Sequence, residues 1–381
     1  MLTSDQNRKI NEIVEEFKEA ADFYRMEYSE DLMGMFRDFG CMLLLKCKVD
    51  TEGKADLERL LEGRHKLKGT VKRQLMTVSE ELAQLWAPGE QDGSGDTGEY
   101  EGSQNVREMF QTALEEIFHF CLYSKGGKNR YLLPEETAKP LLRLITLPEG
   151  MMAGNEGLVV LDTQCGAGSV LMAASRYLKN LRLMGYEKDE EMWAAAVIMS
   201  QLSGLEMELH LEDGARADLY ESCDLVISNP VYGTDTIKDE ELIDQLPGEL
   251  KTVRGRYHME LIRSMQALNF DGKAMLIVPN SFLFANRTES MKVRKWLLQS
   301  YSLEAIISLP EDTFMYSGVR SSVMVFSKPF MSGGWEGHTQ RVLYYNLEKQ
   351  EDKEKQQKEY ERLEEVWSQR DSYYGKWERS R

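Results

Sequence analysis

The chain has 381 residues, 42% hydrophobic and 29% charged, which fits a soluble globular protein of two domains. Its formal net charge of −17 excludes the overall basic surface that proteins usually carry when they hold nucleic acid unaided. Its five cysteines are scattered without a CxxC pair, which argues against a zinc site and a disulfide framework and for reduced, buried thiols.

Membrane insertion and export are not indicated by the sequence. No apolar run is long enough to span a bilayer, and the polar segment Met1–Lys9 lacks a signal-peptide pattern. We therefore expect a cytoplasmic protein with no membrane partner.

The N-terminal segment is predicted to be a helical domain over residues 1–125. Apolar residues recur at helical spacing up to about Trp86, as in Ile10, Ile13 and Phe17. Residues 87–104 are rich in Gly and acidic side chains and are predicted to form an acidic loop. A further helix is predicted from about Asn105 to Tyr123.

Residues 126–346 show a different pattern, in which short apolar runs alternate with amphipathic helices. This order predicts an α/β domain with a mostly parallel sheet, which binds ligands beyond the carboxyl ends of its strands. Residues 347–381 are predicted to form a charged C-terminal helix, exposed or packed as an arm. The predicted strands are 157–162, 181–186, 223–228, 273–278, 303–309 and 323–327, with helices at 170–179 and 190–203 between the first three.

A glycine-rich turn follows the first predicted strand, in the sequence Asp162-Thr-Gln-Cys-Gly166-Ala-Gly168-Ser169. Glycine permits a sharp turn and lets a ligand approach main-chain N–H groups at the start of a helix. Such a turn is also common where no ligand binds. Glu187, 19 positions after Gly168, ends the second strand, where a carboxylate can accept hydrogen bonds from ribose hydroxyls. Together these features predict a nucleoside-type cofactor, either a dinucleotide or S-adenosylmethionine.

The third predicted strand runs into Asn229-Pro230-Val231-Tyr232. In an amino group on a planar ring, the nitrogen lone pair is delocalised into the ring. Methylation therefore needs hydrogen-bond acceptors for both N–H groups, which draw the lone pair out towards the methyl donor. The Asn229 side chain and the Pro230 carbonyl would supply these acceptors, and Tyr232 would stack on a base flipped out of a duplex. We predict Asn229, Pro230 and Tyr232 as the catalytic residues, although an Asn-Pro turn after a strand is common.

The order of these motifs resembles that of the N6-adenine DNA methyltransferase family, and more narrowly the modification (M) subunit of type I restriction-modification systems. Leu303–Lys328 matches this family most closely, and Lys273–Phe284 resembles its Gly-Arg-Ala-apolar-Leu-Pro-Asn-Gly stretch. The resemblance implies a Rossmann-like S-adenosylmethionine-dependent methyltransferase sheet that transfers a methyl group to the N6 amine of adenine in DNA. It further implies DNA as substrate, a separate specificity subunit as partner and a possible homodimer.

The resemblance also implies a set of cofactor-binding residues. Tyr131, Leu133 and Pro134 stand where the family touches the methionine end of the cofactor, and Asp213 stands near its adenine. The full predicted cofactor set is Tyr131, Leu133, Pro134, Asp162, Gly166, Ala167, Gly168, Ser169, Glu187 and Asp213, with no metal.

Three positions depart from the family pattern, namely Leu133 for Thr, Thr163 for Pro and Val231 for the second Pro. Val231 would loosen the turn that aims the Pro230 carbonyl, which puts catalytic competence in doubt. The chain also ends shortly after the last predicted strand, so we expect no target-recognition domain in it. The alternatives are a degenerate methyltransferase fold that binds cofactor or partner, or a methyltransferase acting on RNA or on protein glutamine.

Overall fold

The computed structural model shows a chain that divides into two compact units. One unit comprises Met1–Arg130 with Glu190–Leu205, and the other comprises Tyr131–Asp189 with Glu206–Arg381. The structure describes residues 2–50, 54–62, 67–86, 97–124, 132–145, 157–219, 222–230, 235–286, 288–314, 318–328 and 341–370, without the side chains of 56, 97–104 and 353.

The described residues form thirteen α-helices. These are α1 Ser4–Glu27, α2 Met33–Lys46, α3 Ala55–Glu62, α4 Gly69–Ala83, α5 Thr97–Leu122, α6 Glu135–Leu144, α7 Ser169–Tyr177, α8 Glu190–Ser203, α9 Glu240–Asp244, α10 Arg256–Gln266, α11 Asn280–Phe284, α12 Thr288–Ser300 and α13 Lys353–Ser368. A short 3-10 helix spans Gly248–Leu250.

The first unit is helical, as the spacing of its apolar residues predicts. Helix α1 begins at a capping box, in which the Thr3 and Gln6 side chains each bond the other residue's main-chain N–H. Its apolar stripe is buried, and Phe17 meets Phe39 of α2 edge to face at 5.0 Å. Helix α8 belongs to this unit and packs against α2.

Helix α5 begins at Thr97, eight residues before the predicted start at Asn105. The last part of the predicted acidic loop is therefore helical, while residues 87–96 lie outside the described residues. Extending an existing helix adds a hydrogen bond for each residue ordered, whereas starting one is costly, and this favours the longer helix.

The second unit contains one eight-stranded sheet, with strand order β3-β2-β1-β4-β5-β7-β6-β8. The strands are β1 Leu158–Asp162, β2 Leu181–Glu187, β3 Met207–Leu211, β4 Cys223–Ser228, β5 Leu268–Pro279, β6 Ser302–Ser308, β7 Ser321–Ser327 and β8 Leu343–Asn346. The pairs β2–β3, β1–β2, β1–β4, β4–β5 and β6–β8 are parallel, and β7 is antiparallel to both neighbours. The predicted mostly parallel sheet is thus observed.

Two strands were missing from the sequence prediction, namely β3 and β8. Both are short, and neither is an uninterrupted apolar run, because β3 reads Met-Glu-Leu-His-Leu and β8 reads Leu-Tyr-Tyr-Asn. Both occupy edges of the sheet, where a strand needs less apolar burial than in the centre.

The charged C-terminal segment forms α13, which packs against α6. Tyr360 and Leu363 are buried on its inner face, and the Tyr360 hydroxyl lies 3.2 Å from the Thr137 hydroxyl. The segment is therefore a packed arm up to Ser368, and residues 371–381 lie outside the described residues.

Across the described ranges, no helix is long and apolar enough to cross a bilayer. All five cysteines are buried and free, as the sequence predicts.

Candidate active site

The site lies at the carboxyl ends of β1, β2, β3 and β4, which meet at one edge because these strands are parallel. Asp162 is the last residue of β1 and is 2% exposed. Its Oδ1 accepts a hydrogen bond from the Gln164 N–H at 3.0 Å, which closes the turn leaving the strand.

Burial raises the pKa of Asp162 to about 7, and the negative charge of Glu187 adds to the rise. The hydrogen bond from the Gln164 N–H acts in the opposite direction and lowers this pKa. Burial likewise raises the pKa of Glu187. Two carboxyl groups therefore share one partly buried polar region at this edge.

The glycine turn has the backbone geometry that its sequence predicts. Gly166 has φ +56° and Gly168 has φ +75°, both in the left-handed region that favours glycine. Gly168 is the N-cap of α7, and Ser169 is the first residue of that helix. Ala167 is fully buried between them. The turn therefore leads directly into a helix N-terminus, where free N–H groups favour an electronegative ligand.

Glu187 lies beside this turn, at the end of β2. Its Oε2 accepts from the Gly166 N–H at 3.0 Å, and its Oε1 accepts from the Asp189 N–H at 2.7 Å. The structure thus brings Glu187 and the glycine loop together, as a shared nucleoside site requires.

Asp213 follows β3 and carries an ion pair that the sequence does not reveal. Its Oδ1 accepts from the Ala215 N–H at 3.2 Å, and its Oδ2 lies 2.9 Å from Nη1 of Arg256, the first residue of α10. Nη1 of Arg256 also lies 3.4 Å from the buried Glu260 carboxylate. No local motif links Arg256 to Asp213, because 43 positions of chain separate them.

Asn229 and Pro230 come directly after β4, which lies between β1 and β5 in the sheet. Asn229 is half-buried and Pro230 is buried. Ile227 pairs in register with Asp162, so Asn229 stands two positions beyond the end of the strand that carries the glycine turn. The two motifs therefore adjoin. Val231 and Tyr232 lie outside the described residues.

Leu133 and Pro134 are less clearly placed than the rest of the predicted set. Leu133 is buried, and Pro134 is the N-cap of α6. The next residue, Glu135, bonds the last two residues of α7, Arg176 and Tyr177, which lie at the far end of that helix from Gly168. These contacts do not join Leu133 and Pro134 to the glycine turn, and Tyr131 lies outside the described residues.

A buried polar network beneath the site was not predicted. The Gln164 Nε2 donates to the Thr163 Oγ1 at 2.6 Å, and the Ser228 Oγ donates to the Gln164 Oε1 at 3.0 Å. The Thr163 and Ser264 hydroxyls are 2.5 Å apart, and Ser264 donates to the Glu260 carbonyl at 2.8 Å. This network joins the residues that follow β1 to the last residue of β4, directly before Asn229.

The sheet order and the glycine turn together define the class of protein. The chain has the fold of a Rossmann-like S-adenosylmethionine-dependent methyltransferase, and the predicted fold class is confirmed. The model of the N-6 DNA methylase family matches residues 107–379, and the chain belongs to this family, as the sequence motifs predict.

Similarity to named restriction-modification proteins supports this membership. The chain is 24% identical over 298 residues to the type I restriction enzyme MjaVII methylase subunit of Methanocaldococcus jannaschii, covering 72% of this chain and 47% of that protein. It is 26% identical over 213 residues to the type II restriction enzyme and methyltransferase RM.BcgI of Heyndrickxia coagulans, covering 51% of this chain and 31% of that protein. The chain thus spans less than half the length of each.

Solved structures share the fold along nearly the whole chain. A protein of Listeria monocytogenes assigned to the class I S-adenosylmethionine-dependent methyltransferases has a TM-score of 0.67 at 18% identity, covering 95% of this chain and 99% of that one. The type I restriction-modification system methyltransferase subunit of Streptococcus thermophilus has a TM-score of 0.60 at 16% identity, covering 95% of this chain and 93% of that one. At these identities the likeness is one of fold.

Proposed function

We propose that the chain transfers a methyl group from S-adenosylmethionine to the exocyclic N6 amine of adenine in DNA. The observation that carries the proposal is the position of Asn229 and Pro230 at the end of β4, adjoining the glycine turn that follows β1. Membership of the N-6 DNA methylase family supports the same reaction.

The residues at the sheet edge fit S-adenosylmethionine, which supplies an electrophilic methyl group when bound. The left-handed Gly166 and Gly168 shape the turn at the start of α7, where a ligand would approach main-chain N–H groups and Ala167 and Ser169 complete the turn. Glu187 would accept hydrogen bonds from the ribose hydroxyls. Asp162, buried under the turn, would hold the loop and face the cofactor.

Two further parts of the proposed cofactor site rest on the family resemblance. Asp213 would lie near the adenine, where its ion pair with Arg256 fixes the direction of the carboxylate. Tyr131, Leu133 and Pro134 would contact the methionine end.

The proposed chemistry depends on two acceptors beside the methyl donor. The Asn229 side-chain oxygen and the Pro230 carbonyl would each accept a hydrogen bond from one N–H group of the adenine amine. Holding both bonds draws the nitrogen lone pair out of the ring plane and towards the methyl group. The same oxygens stabilise the positive charge that develops on the nitrogen as the new bond forms. Tyr232 would stack on the flipped base and hold its ring flat.

We further propose that the chain works with a separate specificity subunit. The net charge of −17 leaves little general attraction for DNA, and several relatives are named as subunits of restriction enzymes. In that assembly we expect two copies of the chain. Native mass spectrometry after co-expression with the products of neighbouring genes counts the copies and identifies the partner.

Methyl transfer from labelled S-adenosylmethionine to unmethylated genomic DNA tests the proposed reaction, with and without those gene products. We expect N6-methyladenine in the digested DNA, and turnover in this assay shows whether Val231, in place of the family's second Pro, leaves the enzyme active. Label that enters RNA or protein glutamine but not DNA would overturn the assigned substrate. A wild-type protein inert on all three substrates would overturn the proposed activity.

A further inference from the structure

One segment of this acidic chain carries a strong positive charge. Between Lys251 and Ser300 there are nine Lys and Arg residues and three Asp and Glu residues, a net charge of +6 in a chain whose total is −17. Sequence alone does not say whether these cations share a surface, because they are spread over three helices, a strand and the loops between them.

Two contacts bring the cations of this segment together. The Glu289 carboxylate on α12 accepts from the main-chain N–H groups of Arg254 and Gly255 at 2.9 and 3.2 Å. Lys292, one turn further along α12, donates to the Thr252 hydroxyl at 2.6 Å. These bonds hold the segment 251–255 against the first turns of α12, so Lys251 and Arg254 lie on the same side as Lys292.

Most cations of this surface have no carboxylate at ion-pair distance among the described residues. Lys251 is 44% exposed and pairs with the exposed Asp244 at 3.0 Å, a contact that solvent screens. The side chains of Arg254, Lys292 and Lys295 pair with no carboxylate among the residues that the structure describes. Glu289, on the first turn of α12, directs its carboxylate at main-chain N–H groups and so holds the 251–255 segment against this helix.

This surface lies beside the proposed catalytic residues. Strand β5 is parallel to β4 and next to it, so α11, which follows β5, starts at the same edge as Asn229. The 251–255 segment leads directly into Arg256, whose Nη1 lies 2.9 Å from Asp213 at this same edge. Phe284, the last residue of α11, is 74% exposed there.

We propose that this surface binds the sugar-phosphate backbone of duplex DNA next to the target adenine. We call it the basic rim and define it by Lys251, Arg254, Lys292, Lys295 and Phe284. The proposal rests on the proposed function and names the part of the molecule that meets the substrate. DNA is the partner that fits, because it presents about one phosphate charge per 1.7 Å of helix axis, and the rim gathers four cations on one surface.

Phe284 adds an apolar contact to the electrostatic one. The Phe284 side chain is 74% exposed, so its ring is free to contact deoxyribose and base faces. The rim thus offers cations for the phosphates and one ring for the apolar part of the nucleotide.

A charge-removal variant of the full chain tests the rim. In the rim variant, Lys251, Lys292 and Lys295 are each replaced by Gln. The control variant replaces Lys355, Lys358 and Arg362, exposed cations of α13 in the same unit, by Gln and so removes the same charge. Anisotropy of a labelled duplex is measured from about 50 to 200 mM salt, where log affinity falls by about 0.9 per phosphate contact for each decade of salt.

We expect the rim variant to bind at least about tenfold more weakly than wild type at the lowest salt, with the salt slope reduced by about 2–3. The control should stay within about twofold of wild type, and circular dichroism should show both variants folded. Equal effects of the two variants would overturn the rim, since total charge rather than position would then govern binding.

Methyl transfer separates a failure of the rim from a failure of the proposed function. If the function and the rim are both right, the rim variant keeps its affinity for S-adenosylmethionine and shows a raised KM for DNA with kcat little changed. If wild type methylates DNA and the rim variant does so with the same KM for DNA, the rim alone is overturned. A wild type that neither binds nor methylates DNA, even with the products of the neighbouring genes present, overturns both.

The variant Phe284→Ala tests the apolar part independently. We expect DNA affinity to fall severalfold with no change in the salt slope, because no charge is removed. Tyr344→Ala, which removes a 65% exposed ring from β8, is the matched control and should leave affinity unchanged. An unaltered affinity in Phe284→Ala would remove Phe284 from the rim.

Discussion

At the scale of single residues, Glu187 and Asn229 occupy neighbouring strand ends but face different parts of the proposed reaction. Glu187 accepts a hydrogen bond from the Gly166 N–H of the glycine turn. Asn229 instead follows β4, two positions after Ile227, the last residue of β4 that pairs with β1. Their substitution should therefore separate cofactor binding from methyl transfer.

We expect Glu187→Ala to weaken S-adenosylmethionine binding by about 1–3 kcal/mol, because hydrogen bonds to a charged acceptor are lost. Asn229→Ala should leave cofactor affinity within about twofold and abolish methyl transfer, because an acceptor for the amine disappears. Calorimetric titration and the transfer assay measure the two effects, with Glu206→Ala, an exposed acid before β3, as control. Transfer that survives in Asn229→Ala would place the active site elsewhere.

Glu260 is a buried acid that the sequence does not distinguish from an ordinary helix residue. It is 3% exposed on α10, and its Oε2 has no hydrogen-bond partner within the described part of the chain. Burial raises its pKa to about 7, although Lys188 at 3.9 Å and Arg256 at 3.4 Å lower it, and Asp213 adds to the rise. The folded protein therefore binds this proton more tightly than the unfolded chain does.

A raised pKa makes wild type lose stability as the pH rises from about 4.5 to 7, because the carboxylate must ionise while buried. Glu260→Gln stays neutral, so it should be more stable than wild type at pH 8, by at most about 3 kcal/mol. This gap should shrink as the pH falls towards 5. Urea unfolding across this pH range measures it, with the exposed Glu249→Gln as control. A gap that does not change with pH contradicts the prediction.

At the scale of secondary-structure elements, the ends of β1 and β4 are joined by side chains and not only by the sheet. Thr163, Gln164, Ser228 and Ser264 form a connected set of hydrogen bonds, and all but Gln164 are buried. Such a set fixes the glycine turn relative to Asn229, because each member restricts the rotation of the next. Ser264, on α10, closes it from beneath.

Ser264→Ala should cost about 1–3 kcal/mol of unfolding free energy, since it leaves buried polar partners unsatisfied. It should also lower kcat more than it weakens cofactor binding, because Asn229 and the turn lose their shared support. Ser200→Ala is the matched control, as Ser200 is similarly buried but its hydroxyl donates to the Val197 carbonyl of its own helix, α8. If both substitutions cost the same and kcat is unaffected, the network has no positioning role.

At the scale of the whole molecule, charge is the property that bears most on function. The chain carries −17 in total and +6 between Lys251 and Ser300, so attraction at the rim opposes repulsion from the rest. Net affinity for DNA should therefore be small even if the rim is well placed.

We expect the isolated chain to bind duplex DNA weakly at physiological salt, well short of the about 10⁻⁸–10⁻¹¹ M of specific complexes. Addition of the specificity subunit should bring affinity into that range and introduce sequence preference. Anisotropy titration with and without the partner measures both. Tight, sequence-specific binding by the chain alone would refute the need for a partner.

Much of the architecture follows from local patterns in the sequence. Helix α8 and strand β4 begin and end where predicted, because their apolar runs stop at polar or turn-forming residues. The glycine turn, Glu187 and Asn229 were predicted in their places for the same reason, since each follows directly on a strand. Family membership was also predictable, because it rests on the order of short motifs.

Only the tertiary structure decided which distant segments meet. The insertion of β7 between β5 and β6, the pairing of Arg256 with Asp213 and the contact of Ser264 with Thr163 each join residues with no shared local signal. Such pairings depend on which arrangement buries the most apolar surface while satisfying every buried polar group. That is a property of the packed chain as a whole, whereas helices, strands and turns depend mainly on residues near one another in sequence.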